Sequence, residues 1–168
     1  MQLQLSGGYY GTMYSNRNKA LSISGGSHDD DNKGVQYAPY NFTPLALPPD
    51  NQSHQVFLSG GYTFTPVTRA MFKAAYTRAT QTDTFFSTRQ LAPGIGNNLG
   101  GRIDTILLQG GLSARPLPKL SLLADLRFED RNDKTPVLLY NPAAARTDLN
   151  GNTWTGFNNP RSFRTMTG

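Results

Sequence analysis

The sequence holds no cysteine and no long apolar run. Without Cys, disulfides, thiolate zinc sites and covalent haem attachment through Cys-x-x-Cys-His are excluded within this segment. A membrane helix needs roughly 18 or more consecutive apolar residues, and none is found here. Hydrophobic residues make up only 37% of the chain and its mean hydropathy is -0.48. Charge is sparse and uneven, with 16 Lys and Arg against 11 Asp and Glu. The net charge of +5 and pI of about 9.6 would fit an anionic partner. The basic residues are scattered, however, with no clustered footprint of the kind that nucleic acid requires. The two histidines, His28 and His54, stand apart, with no i, i+4 or Cys partner for metal or catalysis.

Glycine and proline are abundant, and they punctuate a hairpin pattern that occurs twice. Gly60-Gly61-Tyr62-Thr63-Phe64-Thr65-Pro66-Val67-Thr68-Arg69 leads into the alternating Ala70 to Tyr76. Gly110-Gly111-Leu112-Ser113-Ala114-Arg115-Pro116-Leu117-Pro118-Lys119 leads into the alternating Leu120 to Leu126. Each copy has paired glycines, a proline turn that fixes φ, a basic residue and then a second strand. A further strand is expected from about Gln2 to Tyr14, with Leu3, Leu5, Gly7, Tyr9, Gly11 and Met13 on one face. Around the turns, strands are expected at about His54 to Phe64, on to Ala79, Arg102 to Ala114 and Lys119 to Asp130. The start of a sixth follows near Phe163.

These strands are long for a soluble domain, where five or six residues are usual. A tilted membrane strand needs about 9–11 residues. The connections are polar and long at one end, at about 15–53, 80–101 and 131–160, and tight at the other. Pro48-Pro49 excludes a central strand from the first of them. Alternation alone does not separate a soluble β-sandwich from a membrane barrel. On the fifth strand, Asp125, Arg127 and Glu129 lie behind an apolar face of Leu120, Leu122, Ala124, Leu126 and Phe128. That pattern fits core and solvent, or lipid and lumen. Strand length, hairpin asymmetry and aromatics near strand ends (Tyr9, Tyr62, Phe64, Phe128) favour the membrane. The fold class read from the sequence is all-β: an antiparallel transmembrane β-barrel segment of about five to six strands.

Other site-like features are weak. Asp29-Asp30-Asp31 lacks the spaced oxygen ligands of a calcium loop. Counting from Asp148, Thr153 and Asn159 stand where a calcium loop needs Gly and a bidentate Glu, so Asn150-Gly151 reads as a turn. Gly94 to Gly100 has the wrong spacing for a dinucleotide loop, and no helix pattern follows. No nucleophile elbow or paired-carboxylate setting is evident, so no catalytic, cofactor-binding or metal-ligating residue is assigned and an enzyme is not expected.

Several stretches, in their order and spacing, carry a resemblance. They are Leu47-Pro48-Pro49-Asp50-Asn51-Gln52-Ser53-His54-Gln55, Leu58-Ser59-Gly60-Gly61-Tyr62, Thr65-Pro66-Val67-Thr68-Arg69 and Ala75-Tyr76-Thr77-Arg78-Ala79-Thr80-Gln81. Gly101-Arg102-Ile103-Asp104-Thr105, Arg115-Pro116-Leu117-Pro118-Lys119-Leu120-Ser121-Leu122 and Phe157-Asn158-Asn159-Pro160 follow. The succession resembles the MtrB/PioB family of outer-membrane β-barrels, across most of residues 1–168. The resemblance implies a scaffold in the bacterial outer membrane that sheathes a periplasmic multihaem c-type cytochrome in its lumen. An outer-surface cytochrome is a further partner it implies. Haem would be carried by the partner and none by the barrel wall. Family members are much longer, and Met1 to Gly8 has neither the basic nor the apolar region of a signal peptide. The chain is therefore expected to be an internal piece of a larger barrel.

In such a wall the lumen-facing candidates are Gln55, Arg69, Lys73, Asp125, Arg127 and Glu129. The lipid-facing candidates are Leu3, Leu5, Val56, Leu58, Tyr62, Phe72, Tyr76, Leu108, Leu112, Leu122 and Leu126. The same strand pattern would also serve a diffusion porin or another outer-membrane channel barrel.

Overall fold

The structure, a computed structural model, describes residues 1–21, 46–85, 96–139 and 157–168, and the backbone of the two-residue strands between them. The strands in chain order are β1 (Gln2–Tyr14), β2 (Ala20–Leu21), β3 (Asp29–Asp30), β4 (Val35–Gln36), β5 (Leu45–Ala46) and β6 (Asn51–Thr65). They continue with β7 (Thr68–Gln81), β8 (Gly101–Leu117), β9 (Leu120–Asp133), β10 (Arg146–Thr147), β11 (Thr153–Trp154) and β12 (Phe163–Thr167). The long strands form one sheet in the order β1-β6-β7-β8-β9-β12. Every neighbouring pair is antiparallel, so the sheet is an up-and-down meander. The short strands make three separate two-stranded ladders, β2-β5, β3-β4 and β10-β11, all within the long connections.

β1 has the bounds that its alternation indicates. The other strands run past theirs, β6 beginning at Asn51 and β9 ending at Asp133. Polar residues that read as loop are drawn into the ladder because their backbone groups find partners there: Asn51 opposite Tyr14, and Asp133 opposite Ile103. Pro116 lies inside β8, where the register shifts between Ala114 and Leu117 and so accommodates a residue that cannot donate to the ladder.

The turns at Pro66-Val67 and Pro118-Lys119 stand at the same end of the sheet. Among the described residues only Gly100 has positive φ, so neither turn is of the primed type common in two-residue hairpins. A register shift sits beside each of them, between Thr63 and Thr65 and between Ala114 and Leu117, and takes up the mismatch in twist.

The connections at the opposite end are fastened at their bases. Lys19 Nζ reaches Asp50 at 3.1 Å and Asp83 at 2.7 Å. The Asn16 N–H donates to Asp50 at 2.6 Å, and the Asp50 N–H donates to Asp83 at 3.1 Å. Near β12, the Asn158 side chain accepts from the Leu138 N–H and donates to the Pro136 carbonyl, while Ser162 accepts from the Asp133 N–H.

The Lys19 junction has a definite pH response. The Lys19 ammonium and the Asp50 N–H hold Asp83 below the ordinary carboxylate value. The Asn16 N–H and Lys19 do the same for Asp50. Groups shifted downward contribute in full above their ordinary pKa of 3.8 and lose that contribution as pH falls through the lowered value. Lys19 is raised by Asp83 and then Asp50, so its share is present below 10.5 and lost as pH climbs past the raised value. Amide exchange at Asn16 and Asp50, corrected for intrinsic rates, should show constant protection across neutral pH and lose it on acidification below the carboxylates' range. Protection that persists in acid would show that the ion pairs do not fasten the loop.

Candidate functional site: the polar face of the sheet

Because opposed residues in an antiparallel ladder share a face, the register sorts every side chain of the sheet. One set of cross-strand rows is apolar. Leu3, Tyr62, Ala70, Leu112 and Ala124 form a row; Leu5, Gly60, Phe72, Gly110 and Leu126 form the next. Gly7, Leu58, Ala74, Leu108, Phe128 and Met166 form a third. None of these three rows holds a charge. The fourth, Tyr9, Val56, Tyr76 and Ile106, ends in the Asp130–Arg164 ion pair at 2.7 Å. All eleven apolar candidates from the sequence fall on this face, Leu122 opposite Ala114.

Nothing described packs over it. Leu5 is 60% exposed, Leu58 48% and Leu122 53%, and the only buried hydrophobic residue among those described is Ala75. A soluble sandwich would cover this face with a second layer, because its core forms between two sheets. From Leu122 to Asp130 the band runs about 27 Å along the strand at roughly 3.4 Å per residue. At the usual barrel tilt that is about 20 Å along the membrane normal, near the ≈ 25 Å apolar band of outer-membrane barrels. Aromatics stand at both limits: Tyr62 meets Phe64 edge-on at 4.7 Å near the turns, and Tyr9 and Tyr76 share the row nearest the loops.

The reverse face carries all six polar candidates. Arg69 stands in the row of Gln2, Thr63 and Ser113; Asp125 in that of Gln4, Gly61, Met71 and Gly111. Lys73 and Arg127 share a row with Ser6, Ser59 and Gln109, and Glu129 lies in the next with Phe57 and Leu107. Gln55 stands one row further towards the loops, with Tyr10, Thr77, Thr105 and Arg131. Four of the six are engaged along the wall. The Gln55 amide donates to Thr77 at 2.8 Å, Arg127 pairs with Glu129 at 2.8 Å, and Arg69 donates to Gln4 at 3.4 Å. Lys73, Gln109, Asp125 and Arg127 line a groove on this face. Phe57, the apolar exception on this side of β6, has a local reason: its ring covers Gly8, where an added Cβ would come within 2.8 Å.

The sequence-level alternatives fall elsewhere. His54 lies on the apolar side, where its Nδ1 is hydrogen-bonded to the Tyr9 hydroxyl and the two rings stack. His28, the side chains of Asp29-Asp30-Asp31, and most of the Asp148 to Asn159 stretch lie outside the described residues.

An all-antiparallel meander with a bare apolar face and a hydrogen-bonded polar one is the wall of a transmembrane β-barrel. A family model for the MtrB/PioB outer membrane beta-barrel porins matches residues 1–168, the whole chain. The chain belongs to the MtrB/PioB family. No curated protein and no solved structure matches it. As an MtrB/PioB chain it is an outer-membrane β-barrel segment of a bacterium, in a family of barrels rather than an enzyme class.

Sequence reasoning missed a charged cluster on the apolar side of this MtrB/PioB sheet. Beyond the Tyr9–Tyr76 row, Arg78 and Asp104 face each other across β7 and β8, and Arg102 follows on β8. Asp104 receives Arg78 at 3.0 Å, Arg102 at 2.8 Å and Lys134 at 2.9 Å. The available signal was the parity of Arg78 with Tyr76 and of Asp104 with Ile106, which puts charge on the apolar side where the band ends.

Proposed function

We propose that this sheet is part of the barrel that sheathes a periplasmic multihaem c-type cytochrome, the apolar face meeting outer-membrane lipid and the polar face lining the lumen. The observation that carries the reading is the complete segregation of the two candidate sets, in a chain of the MtrB/PioB family. Lipid offers no hydrogen bonds, so the bare apolar rows suit it, and a lumen that holds a soluble protein must be polar. Arg69, Lys73 and Arg127 against Asp125 and Glu129 give the wall mixed charge, which suits contact with a folded partner better than a one-sign filter does. Haem and electron transfer belong to the cytochrome, and an outer-surface cytochrome is a further partner. The barrel supplies insulation and alignment.

The test uses the barrel that carries this sheet, with its cytochrome. Proteoliposomes holding both should pass electrons from an enclosed reductant to an external acceptor, and the barrel alone should not. Steady ion conductance by the barrel, with no cytochrome recovered, would establish the diffusion porin instead. The double charge reversal Lys73→Glu with Arg127→Glu should lower the cytochrome recovered per barrel, since it inverts the cationic row at the middle of the polar face. Unchanged recovery would remove these two residues from the contact.

A further inference from the structure

We propose that Arg78, Arg102 and Lys134 form a docking site for the phosphomonoester of a phosphorylated glycolipid in the outer leaflet. The cluster lies on the apolar face, immediately past the aromatic row of Tyr9 and Tyr76. It stands at the end of the sheet with the long connections. In outer-membrane barrels that end is extracellular, so the site is at the level of outer-leaflet headgroups.

Among the described residues its charge does not balance. Three cations surround one carboxylate, and Asp104 is nearly buried with only 8% of its side chain exposed. The three cationic side chains are between 39% and 47% exposed. A carboxylate offers about four acceptor positions, fewer than the donors of two guanidiniums and an ammonium. Asp104 therefore fixes the three side chains and leaves them donor capacity. The surplus is two positive charges. A phosphomonoester carries about −1.5 to −2 at neutral pH, whereas the phosphodiester of an ordinary phospholipid carries one. Arginine's planar fork also fits phosphate oxygens in a bidentate way. Arg78 is held further by the Tyr76 hydroxyl at 2.8 Å, its guanidinium lying 5.7 Å from that ring's centre. Lipid chains would lie along the apolar rows below.

The proposal rests on the apolar face meeting lipid, which the pair Leu108→Arg and Gln109→Arg tests separately. The experiment is equilibrium binding to the complete detergent-purified barrel, with bisphosphoryl lipid A, dephosphorylated lipid A and phosphatidylglycerol as probes. The triple variant Arg78→Gln, Arg102→Gln, Lys134→Gln should bind bisphosphoryl lipid A about ten-fold or more weakly than the wild type, because it removes every charge-assisted contact. Lys119→Gln, a charge lost at the opposite end of the sheet, should bind as the wild type does. The wild type should favour bisphosphoryl lipid A over both other probes. Unchanged affinity in the triple variant would overturn the site, and equal binding of phosphatidylglycerol would overturn the phosphomonoester assignment. Heat-modified electrophoretic mobility reports folding. Should the triple variant not fold, Lys134→Gln, beyond the end of β9, carries the same comparison, and it should bind bisphosphoryl lipid A measurably more weakly.

Discussion

Leu108→Arg is expected to destabilise the folded barrel in bilayers by about 2–4 kcal/mol, the cost of a cation near the midplane on the face proposed to meet lipid. Gln109→Arg, one residue along the same strand, should cost no more than about 1 kcal/mol, the scale of like charges facing each other across strands, here Lys73 and Arg127. Leu108 stands in the uncharged row with Leu58, Ala74 and Phe128, two rows above the one that holds Tyr62. An Arg there must snorkel, thin the bilayer or remain unpaired in hydrocarbon. Gln109 lies between Lys73 and Arg127 on the opposite face, where the Asp125 carboxylate lines the same groove. Urea titration of both variants in lipid vesicles measures the difference. Reversed sensitivities would mean that the faces are assigned the wrong way round, and equal tolerance would count against a membrane position for β8.

Gly60→Val is expected to lower stability by about 1–3 kcal/mol, the cost of forcing extra atoms into occupied space. The same change at Gly110 should be neutral or stabilising, by up to about 1 kcal/mol from strand preference. The two glycines are equivalent in the repeated hairpin and stand in the same row, on either side of Phe72. The Phe72 ring lies over Gly60 alone. A Cβ on Gly60 would fall 2.6 Å from that ring, and 2.8 Å from both the Gln4 carbonyl oxygen and a Leu5 methyl. At Gly110 a Cβ would meet nothing within 4 Å. Neither glycine has positive φ, so backbone freedom plays no part in the difference. Heat-modified mobility of the two variants is a direct check. Equal stability would show that Phe72 turns aside at little cost.

Much of the architecture is legible in the sequence because period-two alternation over a dozen or more residues fits an extended strand and does not fit a helix. β1 shows this most clearly, since Gln2–Tyr14 is defined by its pattern alone. Strand ends are less legible. Asn51 and Asp133 are poor strand formers, and only the ladder partner decides that they extend β6 and β9. The lumen and lipid candidate sets were readable as faces, because a one-residue slip would move a whole set to the other side. The Arg78–Asp104–Arg102–Lys134 cluster was not, since its members come from three segments and meet only once β7, β8 and the end of β9 are in register.

The sequence by itself determined that the chain is all-β, that its strands are long enough to cross a bilayer, and that each has one apolar and one polar side. Local alternation and turn chemistry are enough for that, because both act within a strand or a single hairpin. Only the tertiary structure decided which residues share a row, and so where the apolar band ends and which of two equivalent glycines is filled by Phe72. It also decided that three cations converge on one carboxylate at the band's edge. Those facts depend on register between strands, a cross-chain alignment that no stretch of sequence encodes alone.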